Sequence, residues 1–170
     1  MATFKPVWVS TVEHVNKLHE LYANASSLSR LFGVYDLPEG FPYGHLYWGI
    51  LPVFKAPLAL IASGVVEIDG AELSFRSQPM PIFGSQIHNL RTDLAFHLQA
   101  NELVSVERYT AASPALSYFN LPFTRVRSQQ AGLLSDFLLC VGGTGPFMNK
   151  VRARSEEFAV ALTALANNVS

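Results

Sequence analysis

A glycine-rich loop near the C-terminus is the first candidate for chemistry in this chain. The segment at 142–146 reads GGTGP and stands between an apolar stretch and a helical pattern. Backbone N–H groups at the start of a helix can hold an anion. The lysine and hydroxyl of a P-loop are missing, however, and so is the dinucleotide fingerprint. The sequence therefore favours a hinge that turns the chain sharply, and leaves an anion site as the alternative.

Basic residues near this loop form two small sets. Arg125 and Arg127 share one face of a predicted strand, while Lys150 and Arg154 are four apart on the predicted helix. A solvated charged face is the simpler interpretation, and the sequence does not say whether the two sets meet. The candidate ligand-binding residues are Gly143, Thr144, Lys150, Arg125, Arg127 and Arg154.

Metal and nucleophile patterns are weak. His14 and His19 would point about 140° apart on a helix, so their spacing alone does not make a metal site. Cys140 lies in an apolar stretch, where a buried small hydrophobe is a better interpretation than a reactive thiol. Gly84-Ser85 lacks the flanking pattern of a nucleophile elbow. The sequence thus favours a protein without catalytic activity, metal or cofactor, and leaves enzymatic activity open.

Composition narrows the class of protein. Apolar residues make up 49% of the chain and charged residues only 15%, against roughly 25% charged in ordinary soluble domains. This indicates either an extensive core or an exposed apolar face that meets a partner. A net charge of −1 gives no general attraction to nucleic acid. With no secretory signal and no apolar run of about 20 residues, we expect a cytoplasmic protein without a transmembrane segment.

The N-terminal third is predicted to contain one helix and an irregular aromatic segment. Ser10 and Glu13 have capping-box spacing, which predicts a helix from about Thr11 to Ala25. Prolines and glycines between Leu37 and Pro57 argue against a long helix or a central strand and indicate short extended pieces. This segment either packs on the body as an extra layer or forms a surface for a protein partner, a lipid or a second subunit. Its aromatic residues are Phe41, Tyr43, Tyr47, Trp48 and Phe54.

From Leu58 onward the apolar period becomes two, which predicts strands. The best hairpin turns at Asp69-Gly70, and Val104 and Val106 mark an inward face in a later strand. An apolar strand follows at Asp136–Val141. The chain should end in a helix from about Pro146 to Asn167. On this helix, Phe158, Leu162 and Leu165 should face the sheet, while Glu156, Glu157 and Asn168 should face water.

This order of elements resembles a pleckstrin-homology-like domain of the GRAM type. The resemblance rests on the hairpin Ser63–Phe75, on Val104-Ser105-Val106-Glu107 and on the helical segment Glu157–Leu162, and it covers roughly Leu58 to Ala166. It implies a domain of the α+β class that is mainly β. Its strands would form a small antiparallel barrel or sandwich, closed by the C-terminal helix. Residues 1–57 would then be a helix and an aromatic extension packed on a body at 58–170.

The resemblance also implies a function. We expect a non-catalytic binding or interaction module whose partner is unknown. The alternative is a small-molecule or anion-binding protein, or an enzyme, with a site at the barrel mouth near 142–146. Phosphoinositide-binding members need a basic first hairpin, but this hairpin carries Glu67, Asp69 and Glu72 against Arg76. Because like charge repels phosphate, the hairpin argues against phosphoinositide binding.

Overall fold

The described part of the protein is mainly β, with one helix near each end. The computed structural model describes residues 1–24, 26–27, 44–48, 55–79, 85–88, 90–109, 123–141 and 148–167. The helices are α1 (Val12–Asn24) and α2 (Met148–Asn167). The strands are β1 (Ala2–Ser10), β2 (Gly44–Trp48), β3 (Lys55–Leu60), β4 (Ala62–Asp69), β5 (Glu72–Ser77), β6 (Ser85–His88), β7 (Ala95–Gln99), β8 (Leu103–Tyr109), β9 (Phe123–Ser128) and β10 (Asp136–Val141).

Seven of these strands form one curled antiparallel sheet in the order β7-β5-β4-β1-β10-β9-β8, and β3-β2-β6 form a second, smaller sheet. A short 3₁₀ turn at Ala100–Glu102 joins β7 directly to β8, the two outermost strands of the large sheet. The four-residue step from Gln99 to Leu103 spans at most about 14 Å. The two edges must therefore approach each other at this end, which curls the sheet into a half-barrel.

Glu102 ties the approaching edges together. Its carboxylate accepts hydrogen bonds from the Gln99 backbone N–H at 2.7 Å and from the Gln130 side-chain amide at 2.9 Å. Its carbonyl oxygen accepts the backbone N–H of Gln129 at 2.8 Å. One residue thus joins the β7–β8 turn to the chain that follows β9, and this fixes the curl.

The strand β1 was not predicted from the sequence, yet it is central. It pairs antiparallel with both β4 and β10, and Val7, Trp8 and Val9 are fully buried. Pro6 makes this strand hard to predict, because proline in a sequence argues against a central strand of a sheet. The pairing with β4 shifts register between Phe4 and Val7, and such an irregularity is where a central strand tolerates proline.

The helix α1 is present where it was predicted, but its cap is not Ser10. Ser10 still belongs to β1 and pairs with Leu138. Thr11 caps the helix instead, because its hydroxyl accepts the backbone N–H of His14 at 3.2 Å. Because β1 extends through Ser10, the cap lies one residue later than predicted.

The predicted hairpin is confirmed. β4 and β5 pair in register up to Asp69 opposite Glu72, and Gly70 occupies the left-handed turn position with φ of +59°. Leu73 and Phe75 are buried, while Arg76 is exposed. The alternation that identified the hairpin is the alternation that fills the core.

The prediction that Val104 faces inward is wrong. Its side chain is 63% exposed. The pairing of β8 with β9 shifts register between Leu103 and Ser105, which is a β-bulge. The extra residue breaks the alternation, so that Leu103 packs against the core while Val106 resumes the inward face.

The helix α2 packs against the concave side of the sheet, as predicted. Phe158, Leu162 and Leu165 are at most 1% exposed, and Glu156 and Glu157 are exposed. The ring centroids of Phe158 and Phe4 lie 4.9 Å apart. Further along the same core, Phe96 contacts Phe75 at 5.1 Å and Phe137 at 5.4 Å between centroids. Pro146 and Asn168 lie outside the described residues.

The opposite side of the sheet is covered around its centre, where α1 contacts β3 and β10. Trp8 and Leu138 are fully buried there. The aromatic segment supplies β2 and β3, so the expected short extended pieces are present. Tyr47 and Trp48 belong to β2, while Phe41, Tyr43 and Phe54 lie outside the described residues. The role of these aromatics in a partner surface stays a prediction.

Candidate functional site

An open groove runs between β8 and α2 on the concave side of the sheet. Its volume is about 390 Å³. The side of the groove contributed by the sheet comes from β8 and β9, and the other side comes from one face of α2. The residues that line it include Val106, Arg108, Thr124, Ala159, Val160 and Ala164.

The helical side of the groove is apolar and built from small side chains. Ala159, Val160, Thr163 and Ala164 recur at helical spacing on one face of α2. Val160 is 67% exposed, so its aliphatic side chain is available for contact. The hydroxyl of Thr163 is already used, since it donates to the carbonyl oxygen of Ala159 at 2.8 Å. This side therefore offers apolar contact surface.

Charges at the rim of the groove cancel. Arg108 on β8 forms an ion pair with Glu156 on α2, and this pair bridges the two sides. Both side chains are more than half exposed, so the pair adds little stability. The described lining contains no His, Cys or Lys. Since Arg108 is paired with Glu156, the described lining offers an anion no unpaired basic side chain.

The groove is bordered by a sheet edge. Among the described strands, β8 lies at the end of the large sheet and pairs only with β9. In an antiparallel strand, alternate residues direct their backbone N–H and C=O away from the paired neighbour. Such an edge can accept another strand. The groove and the unpaired edge together form one continuous surface, here called the β8–α2 surface.

Arg125 and Arg127 lie on the other face of the sheet. They flank Val126, which belongs to the core cluster around α2, so strand alternation turns both arginines away from the groove. The guanidinium of Arg125 donates to Asp136 Oδ1 through Nε at 2.7 Å. Arg127 Nη2 lies 3.0 Å from Glu107 Oε1. Both arginines therefore have carboxylate partners.

Arg125, Arg127, Glu107 and Asp136 form one network in which two positive charges balance two negative charges. The hydrogen bond from Arg125 holds the pKa of Asp136 below its usual value, and the same bond raises the pKa of Arg125. Arg125 is 23% exposed and Asp136 is 35% exposed. The arrangement is that of a compensated ion pair and does not favour an anion site.

The remaining candidates do not join this network. Arg154 is exposed on α2, and its Nη1 donates to the backbone oxygen of Lys5 at 3.2 Å. Lys150 is a residue of α2. Gly143 and Thr144 lie outside the described residues, so the choice between a hinge and an anion site at 142–146 stays open. The structure thus brings Arg125 and Arg127 together and places Arg154 elsewhere.

Cys140 and His14 lie where a structural role accounts for each side chain. Cys140 is fully buried, and burial raises the pKa of its thiol. Partial burial lowers the pKa of His14, whose Nδ1 lies 2.6 Å from Thr11 Oγ1 at the start of α1. Within the described ranges, no three His, Cys, Asp or Glu side chains are placed to hold a metal ion.

The Arg125–Asp136 pair predicts a pH-dependent loss of stability. Since its pKa is lower in the folded chain than in the unfolded one, Asp136 stabilises the fold above pH of about 4, and this contribution is lost as the pH falls through the folded pKa. We expect Asp136→Asn to lower the free energy of unfolding by about 1–2 kcal/mol at neutral pH. Urea melts at neutral pH and near pH 3 should show a smaller difference from wild type in acid.

Asp93→Asn is the control, because Asp93 is also paired with an arginine but is 76% exposed. Its effect should stay within about 0.5 kcal/mol. An equal loss for Asp136→Asn at both pH values would contradict a role for its charge.

The β8–α2 surface was not predicted from the sequence. One signal was present: the helical spacing of Glu156, Val160, Thr163 and Asn167 marks a second face beside the buried stripe. The edge position of β8, by contrast, follows from the order of strands, which period-two patterns do not contain.

The fold and this surface define the class of the molecule: a mainly β protein in which a curled seven-stranded antiparallel sheet packs around a C-terminal helix. A scan against protein-family models, a search of curated proteins and a search of solved structures each returned no match. In the part of the chain that the structure describes, no helix combines the length and apolar character needed to cross a membrane.

Proposed function

We propose that this chain is a non-catalytic interaction module of the pleckstrin-homology-like type, which binds a protein partner at the β8–α2 surface. The observation that carries the proposal is that an apolar groove lies beside an edge of the sheet with which no other described strand pairs. Main-chain groups at an edge can supply affinity, while a neighbouring groove can supply specificity.

The electrostatics support a protein partner over a phosphorylated ligand. Arg108 is paired with Glu156 at the groove, and on the other face Arg125 and Arg127 are paired with carboxylates. The β4–β5 hairpin keeps the exposed acidic residues Glu67 and Asp69. Arg76 is the basic residue of that hairpin and is outnumbered by its carboxylates, so these regions do not form the basic cluster that recognition of a phosphate requires.

The pleckstrin-homology-like type is proposed from the sequence resemblance, and the structure adds the coarser description of a mainly β half-barrel with a C-terminal helix. Antiparallel strands in a strongly curled sheet enclose a C-terminal helix through Phe158, Leu162 and Leu165. Because one fold serves many functions, the proposal depends on the β8–α2 surface rather than on the fold.

The proposal can be tested by native mass spectrometry of the protein purified from its own cells, which detects bound small molecules and co-purified proteins. We expect no stoichiometric small molecule, and we expect a co-purified protein that is lost from Val160→Glu. Val160 is exposed on α2, so the substitution places a charge in the groove without disturbing the core. Ala153→Glu is the matched control, since Ala153 is exposed on the same helix and does not line the groove.

A stoichiometric small molecule that survives Val160→Glu would contradict the proposal. It would favour the alternative of a ligand-binding protein or enzyme with a site near residues 142–146. Loss of the co-purified protein from both variants would show that the groove has no special part in binding.

A further inference from the structure

We propose that Thr11 and His14 form a pH-sensitive cap at the start of α1, which holds the first turn of this helix closed at neutral pH and lets it open under mildly acidic conditions. This Thr11–His14 cap belongs to the side of the large sheet that α1 covers, opposite to α2. It therefore acts independently of the β8–α2 surface.

The hydroxyl of Thr11 contacts His14 in two ways. Its oxygen accepts the backbone N–H of His14 at 3.2 Å, which is the usual bond of an N-cap residue. The same oxygen lies 2.6 Å from Nδ1 of the His14 ring. Because the oxygen already accepts one N–H, the hydroxyl donates its own proton to Nδ1, which requires a neutral ring with its proton on Nε2.

Protonation of the ring would reverse one of these bonds. Both nitrogens of an imidazolium are donors, so the Thr11 hydroxyl would have to accept two N–H groups and turn its own proton away. The positive charge would also lie in the first turn of α1, where the helix dipole disfavours cations. The neutral form of His14 therefore closes the cap, and the charged form weakens it.

Charges on α1 itself do not offset this cost. Burial, the largest cause, and the positive charge of Lys17 lower the pKa of His14, whereas the negative charge of Glu13 raises it. Glu13 and Lys17 are themselves paired at 3.1 Å. The net effect is a ring that stays neutral to lower pH in the folded chain than in the unfolded one.

The strands that pack against α1 are β3 and β10. The ionisable residues of β10 are Asp136, whose carboxylate is paired with Arg125, and Cys140, whose thiol is buried. The ionisable residue of β3 is Lys55, which carries the same sign of charge as a protonated histidine. These two strands therefore bring no unpaired carboxylate that would stabilise the charged form of His14.

The cap controls the turn that anchors α1. The N–H of Val15 donates to the carbonyl oxygen of Thr11 at 3.1 Å, and the Val15 side chain is buried. Because the pKa of His14 is lower in the closed turn than in the open one, the open turn binds more protons at acidic pH. The cap thus stabilises α1 above pH of about 6.5, and this contribution is lost as the pH falls through the folded pKa.

Amide hydrogen exchange of the full chain, at about pH 7.5 and about pH 5.5, measures the opening of this turn once intrinsic exchange rates are corrected for. We expect protection at the His14 and Val15 amides to fall about threefold or more at the lower pH. His14→Gln should abolish this pH dependence, because glutamine does not titrate. His97→Gln is the matched control, since His97 is 69% exposed and its loss should leave the response in place.

Two serine-like and valine-like replacements of Thr11 test the hydroxyl. Thr11→Ser should keep the pH response, because a serine hydroxyl can form the same two bonds. Thr11→Val should lower protection at both pH values and leave little further response to acid. Equal pH responses of these two variants would overturn the proposed role of the hydroxyl.

An NMR titration of the His14 ring in the wild-type chain is a second measurement that needs no substitution. We expect a pKa below the value of about 6.5 that is typical of an unperturbed histidine. A pKa at or above that value would overturn the proposal. So would protection that does not respond to pH in the wild type, or a response that persists in His14→Gln.

Discussion

Phe158→Ala should lower the free energy of unfolding by about 3–5 kcal/mol, the usual cost of truncating a core aromatic residue. The side chain of Phe158 is fully buried, and its ring lies 4.9 Å from that of Phe4 between centroids. It anchors α2 to the concave side of the sheet, where the half-barrel has its core. Because typical total stability is about 5–15 kcal/mol, the loss would be a large share of the total.

Glu157→Ala is the control, since the neighbouring Glu157 is exposed. It should cost less than about 0.5 kcal/mol, as an ordinary surface substitution does. Urea melts of both variants measure the difference. Equal and small losses would mean that α2 does not hold the fold together, and the packing of the half-barrel would have to be reconsidered.

Gly64→Ala should lower the free energy of unfolding by about 3 kcal/mol. A Cβ atom at Gly64 would lie 2.1 Å from the backbone oxygen of Arg76 and 2.8 Å from the Cα of Ser77. Both are backbone atoms of β5, the direct neighbour of β4, so no side-chain rotation can relieve the clash. The two strands would have to separate in the middle of the sheet.

Gly70→Ala distinguishes this effect from glycine loss in general. Gly70 has φ of +59°, and an added Cβ would meet no atom within 4 Å. Its replacement should cost only about 1–2 kcal/mol, from the left-handed conformation alone. Denaturant melts compare the two variants, and a larger loss for Gly70→Ala would refute the role assigned to close strand contact at Gly64.

The two predictions concern the scaffold that positions the β8–α2 surface. Phe158 and Val160 lie two residues apart on α2, one buried in the core and the other exposed in the groove. The buried stripe thus fixes which face of the helix borders the groove. A substitution at Val160 tests binding with little expected effect on the core, whereas one at Phe158 tests the core itself.

The sequence by itself determined the local elements with strong periodicity. The β4–β5 hairpin was predictable because Asp69-Gly70 marks a turn and the flanking apolar residues alternate. The buried face of α2 was predictable because Phe158, Leu162 and Leu165 recur at helical spacing. Two predictions were wrong by a single residue, because the local backbone departs from the regular pattern there. These are the cap of α1 and the inward face assigned to Val104, which a β-bulge exposes.

Only the tertiary structure decided how these elements meet. The central position of β1 depends on β4 and β10, which are distant from it in sequence. Pro6 also makes β1 look unlike a central strand in the sequence. The pairing of Arg125 with Asp136 and of Arg108 with Glu156 follows from strand register and helix packing. These contacts determine that Arg125 and Arg108 are compensated by carboxylates. The β8–α2 surface likewise arises from long-range packing, because an edge and a groove belong to the assembled sheet and helix and to neither segment alone.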